Sequence, residues 1–156
     1  MIMIQETLIN NSLANLYEQD YCLWAETTVN LLKQGKFTEV DLANIIDEIE
    51  DMSRREKQAL SSNLRILLMH LLKYKYQPKK RTNSWRFTIR EHRKRIKEAL
   101  KTSPSLKSYF QEIFAECYQD ARELACDETG LILNTFPDHS PFTLEDTLNT
   151  DYLPNN

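Results

Sequence analysis

The chain has 156 residues, 41% of them hydrophobic and 28% charged, with a net charge of −3, a sequence pI of 5.7 and a mean hydropathy of −0.56. That length suffices for one domain with a proper core, and no stretch reaches the roughly 18 uninterrupted apolar residues of a membrane span. Two glycines in the whole chain exclude a hairpin-rich β protein, which needs glycine at positive φ, and the glycine-lined loops that cradle nucleotide phosphates.

The opening MIMIQETLIN has neither the basic region nor the apolar run of a signal peptide, so the expected setting is the cytoplasm. Residues 1–12 read as a tail. A helix is predicted from Leu13 to Gln34, with Leu16, Leu23, Val29 and Leu31 near one face and Tyr17, Tyr21, Trp24 and Leu32 widening it. Gly35 stands where a left-handed residue ends a helix. Asp41 or Thr38 can cap the next helix.

Asp41–Tyr76 contains no proline or glycine. It predicts either one helix of about 54 Å or two helices joined near Met52–Arg54, where Ser53 and Glu56 offer a fresh capping box. Its first half carries the stripe Leu42, Ile45, Ile46, Ile49 and Met52, with Asp47, Glu48, Glu50 and Asp51 on the other faces. Its second half, with Leu60, Leu64, Ile66, Leu67, Leu68, Met69, Leu71 and Leu72, is apolar on most faces and reads as the axis of a bundle.

Pro78 ends that helix. A basic helix is predicted from Trp85 to Leu100 or Lys101, and another from Ser105 to about Glu128, with Ser103 as its cap and Pro104 in its first turn. Thr129–Gly130 closes the last one. Pro137, Pro141 and Pro154 punctuate an ordered but irregular extension, in which Thr143–Asp146 starts a short helical turn. The expectation is an all-α, single-domain bundle of about five helices over 13–130, with a tail (1–12) and an extension (131–156) packed on it.

Charge is segregated along the chain. From Lys73 to Lys107 thirteen Lys and Arg face only Glu91 and Glu98, a local +11 against −14 elsewhere. The simplest expectation is that acidic and basic helices pair across the surface. The alternative is a polyanion site: Trp85 with Arg86, Arg90 and Arg93 forms a candidate anion- or partner-binding surface. His70 lies in the most apolar helix with Lys73 three residues on. If the acidic helix packs antiparallel, Glu48 meets it, and Glu48, His70, Lys73 and Arg93 become candidate catalytic residues. The plainer reading is a half-buried histidine satisfied by a carbonyl or carboxylate. The acidic cluster lacks a Glu-x-x-His partner, so no metal and no cofactor is expected. Cys22, Cys117 and Cys126 match no zinc or redox spacing and read as small buried side chains.

Taken together, LYEQDYCLW, DLANIIDEIEDMSRREKQAL, LLMHLLKYKYQP, SWRFTIREHR, SPSLKSYF and FP…PFTLED resemble the bacterial family called domain of unknown function 29, over about Leu16 to Leu153. The resemblance implies a compact all-α protein without an assigned activity. The recurring positions it marks here are Tyr21, Trp24, Glu48, Glu50, His70, Lys73, Pro78, Trp85 and Arg93. The chain departs from the pattern at Ser53, where glycine is common, and at Tyr74, where tryptophan is common. Three function classes remain. A protein-interaction or regulatory module comes first, then a nucleic-acid-binding protein using residues 73–107, then a phosphodiester hydrolase, the balance being against an enzyme. An acidic protein or nucleic acid is the candidate partner, with no membrane expected, and the sequence does not set the oligomeric state.

Overall fold

The computed structural model describes residues 12–155, and the tail expected over 1–12 lies outside them except for Ser12, which is helical. The described residues form six helices and no strand. These are α1 (through residue 19, described from 12), α2 (Tyr21–Lys33), α3 (Leu42–Tyr76), α4 (Asn83–Thr102), α5 (Leu106–Thr129) and α6 (Leu144–Leu148), with 3-10 turns at Pro78–Lys80 and Leu133–Thr135. None is long and apolar enough to cross a membrane. The chain divides into two compact units after Arg54.

In the first unit the helix predicted over Leu13–Gln34 is two. Asp20 leaves helical geometry at φ −150°, ψ 87°, and its carboxylate accepts from Leu23 N, so it caps α2. Gly35 ends α2 at φ 72°. Its N–H bonds Leu32 O while Lys36 N bonds Leu31 O, the paired closure of a Schellman motif. No atom lies where a Cβ would be, so the backbone angle, not crowding, selects glycine. Asp41 caps α3 by accepting from Asn44 N and Nδ2.

α3 is one helix through Ser53. The second capping box is not used, because an uninterrupted ladder already satisfies those N–H groups. In the second unit its later turns form the core: Leu60, Leu64, Leu67, Leu68, Leu71 and Leu72 are at most 1% exposed. Burying each contributes about 1.5–3 kcal/mol. Ile89, Ile96 and Leu100 of α4 and Phe110, Cys117, Tyr118 and Ala121 of α5 complete this core.

Thr82 caps α4 by accepting from Trp85 N. Ser103 is not the cap of α5: it ends α4, and its carbonyl accepts from Leu106 N, so α5 starts at Leu106. Gly130, at φ 71°, closes α5 with its N–H on Cys126 O. Beyond it the chain forms a strap held by Phe136, Phe142 and Thr147, all buried. The ring of Phe136 meets that of Tyr76 edge-on at 5.5 Å. Thr143 caps the short α6.

The cysteines do not share one fate. Cys117 is buried beside Ser61, Cys126 is partly buried, and Cys22 is exposed on α2. Burial pushes the Cys117 thiol pKa up, so it behaves as a small apolar side chain.

Candidate functional site

The sequence singled out Glu48, His70, Lys73 and Arg93 as one group. The structure gives each its own surroundings. Glu48 is buried in the first unit, where Tyr17 and Tyr21 donate their phenols to its two oxygens at 2.6 and 2.7 Å. The bond to Glu48 is the main reason that the Tyr17 phenol is pushed up to about 12. The Tyr17 ring meets those of Tyr21 and Trp24 edge-on and Tyr21 stacks on Trp24, with centroids 4.8–5.8 Å apart. Glu48 falls in the first unit and His70 in the second.

Lys73 is buried, with Nζ 3.0 Å from Glu128 of α5 and 4.7 Å above the Trp85 ring centroid. A carboxylate and a π face together replace the water an ammonium loses on burial. The lysine bond is also what holds the Glu128 carboxyl below its ordinary pKa.

His70 is half-buried, and its Nδ1 donates to Ile66 O at 3.0 Å. Burial is the leading cause of its lowered pKa, with Lys73 adding to it and Glu128 opposing. His92 bonds Asn63 Oδ1 at 2.7 Å, and burial lowers its pKa as well. Both imidazoles thus have folded values below the unfolded 6.5. Their contribution to stability is complete above that value and is lost as pH falls through the folded ones. A melting midpoint lower at pH 5 than at pH 7.5 is expected, and His70→Gln with His92→Gln should flatten the difference. A midpoint that rises on acidification would contradict this.

Arg93 is 2% exposed and reaches the strap: Nε donates to Thr147 O at 2.8 Å, and its two terminal nitrogens reach Thr150 O and Asp146 O at 3.4 Å. Other cations of the basic segment do the same. Arg81 bonds Tyr74 O and Pro154 O, Lys75 bonds Asn155 O, and Lys97 bonds Thr150 Oγ1. Acids supply only three ion pairs to this segment among the described residues, each from α4 or α5: Lys73–Glu128, Lys94–Glu98 and Arg95–Glu91. Within this unit several cations of the segment thus sit on strap oxygens rather than on carboxylates.

Of the candidate surface Trp85, Arg86, Arg90 and Arg93, the structure keeps the arginines together and removes the tryptophan. Trp85 serves Lys73, and Arg86 Nε donates to Tyr74 Oη at 3.2 Å. Two adjoining grooves, of about 380 and 530 Å³, run along α4 beside the strap and share Arg90, Arg93 and Thr150. His70 lines neither. Among the described residues no three His, Cys, Asp or Glu side chains gather as a cation site.

Sequence reasoning overlooked Arg122. It sits inside the apolar stripe of α5, 5% exposed, and donates to Phe136 O, Asp138 Oδ1 and Gln119 Oε1. An arginine four residues after Tyr118 and three before Ala125 was the available signal.

The family profile described as domain of unknown function DUF29 matches residues 16–153. The chain belongs to the DUF29 family. No curated protein and no solved structure matches the chain significantly. The recurring positions marked from sequence in this DUF29 chain mostly hold its fold together: Tyr21 on Glu48, Lys73 between Trp85 and Glu128, Pro78 opening a 3-10 turn, and Arg93 on the strap.

Proposed function

We propose that this DUF29 protein is an interaction module and that the first half of α3 is its docking face. One observation carries the reading: Leu42, Ile46, Ile49 and Met52 form a single stripe and stand 62, 47, 60 and 59% exposed, while the capping Asp41 and the helix's own Glu48 are buried. An amphipathic helix ordinarily buries its apolar face, and a continuous exposed apolar stripe marks a surface that a partner covers.

Glu50 borders the stripe, with Asp47 and Asp51 further round. Charge complementarity thus favours a partner helix with apolar anchors at three- and four-residue spacing and lysine or arginine beside them. Three free thiols support a reducing, cytoplasmic setting.

A labelled synthetic helix with leucines at that spacing and flanking lysines tests the proposal by fluorescence anisotropy. The wild-type protein should bind it. The double substitution Ile46→Asp, Ile49→Asp adds negative charge, which alone would strengthen attraction, yet binding should fall at least tenfold. Equal or tighter binding by the variant would refute the docking face. A concentration-dependent dimer dissolved by the same substitutions would instead make a second copy the occupant.

A further inference from the structure

α4 presents a second, chemically different surface in the other unit. Arg86, Arg90, Lys94, Lys97 and Lys101 follow one another at three- and four-residue steps, so they lie along one helical face. At 1.5 Å per residue that row is about 22 Å long. All five are exposed, and among the described residues Arg90 and Lys101 make no hydrogen bond or ion pair. Lys94 has only a 3.9 Å contact with Glu98. Arg93 lies beneath the row with its guanidinium held by strap carbonyls, so it forms the floor and does not contact a ligand. The acids that line the grooves are Asp151 and Glu98, which leaves cations in clear excess.

Three features decide what fits. The row is linear, so its ligand carries negative charge at intervals along a chain. Thr150, Asp151 and Leu153 wall the grooves on one side. The strap thus occupies one flank of the row, whereas reading a duplex requires a helix free to enter the major groove. Phe87 lines the first groove beside Arg86 and Arg90 and is 59% exposed. An exposed ring next to a track of cations has a use with a nucleobase, which stacks on it, and none with an aspartate or glutamate side chain.

We propose that the α4 grooves bind a single-stranded nucleic acid, its phosphodiester backbone along Arg90, Lys94, Lys97 and Lys101 and one base on Phe87. The site belongs to the second unit and the α3 stripe to the first, and the two proposals stand independently. The acidic pI of 5.7 does not oppose it, because the balance over Lys73–Lys107 is +11 and screening confines each charge to about 8–10 Å at physiological salt.

The test is anisotropy with a fluorescent twelve-nucleotide oligothymidylate and the full chain, starting at low salt. With three or four phosphates neutralised, log K should fall against log salt with a slope of about −2 to −3. Arg90→Glu with Lys101→Glu, both free of protein partners among the described residues, should weaken binding at least tenfold and flatten the slope while leaving the melting curve unchanged. Phe87→Ala should weaken it roughly tenfold with the slope retained. Absence of binding at low salt would overturn the proposal. So would a polyglutamate of equal charge that binds as tightly and ignores Phe87→Ala, which would assign the surface to an acidic peptide. Tighter binding of a duplex of the same length would overturn the single-strand geometry.

Discussion

Replacing Arg93 with alanine is expected to lower the melting midpoint by roughly 10 °C, the counterpart of about 3 kcal/mol in a chain of this size. The guanidinium reaches three carbonyls of the strap, and the nearest belongs to Thr147, a residue with no exposed surface. Removing the donor leaves that oxygen buried without a partner, and the missing desolvated bond to a charged group is what destabilises. Arg93→Lys should recover little, since one ammonium cannot reproduce a planar fork aimed at several acceptors. Limited proteolysis gives a second readout: cleavage within 140–155 should accelerate in both variants. A wild-type melting curve for Arg93→Ala would show that the strap is held by its apolar residues alone.

Leu67→Ala should cost about 2–5 kcal/mol, whereas Ile49→Ala on the same helix should change stability by no more than about 0.5 kcal/mol. Leu67 has no exposed surface, and its truncation opens a cavity in the core; Ile49 is 60% exposed, so its loss leaves no void. Chemical denaturation of the two variants side by side makes the comparison. An Ile49→Ala penalty of several kcal/mol that grows with protein concentration would mean that a second copy covers the stripe in solution. The contrast matters because leucine- and isoleucine-bearing turns share the same helical periodicity in the sequence.

Much of the architecture is legible from local chemistry. Proline and glycine mark the ends of α3 and α5, threonine, aspartate and glycine supply caps, and the 3.6-residue repeat of leucines in the second half of α3 identifies the core axis. The break at Asp20 is not legible, because nothing in its neighbourhood interrupts the apolar repeat, and only the backbone angles show it capping the next helix. The partners of the basic segment within its own unit are not legible for a related reason. Counting charges along a chain treats acids as the only acceptors, whereas Arg81 and Arg93 also donate to carbonyl oxygens, which composition does not reveal.

By itself, then, the sequence determined that this DUF29 chain is all-α, where its long helices lie, and that Leu60–Leu72 forms the interior, because these depend on periodicity and capping within a few residues. Only the tertiary structure decided which apolar stripe is covered and which is open, that Glu48 belongs with Tyr17 and Tyr21, that Lys73 belongs with Trp85 and Glu128, and that the basic segment clamps the C-terminal strap. Those choices join residues tens of positions apart, and helical spacing states which face a side chain occupies without stating what that face meets.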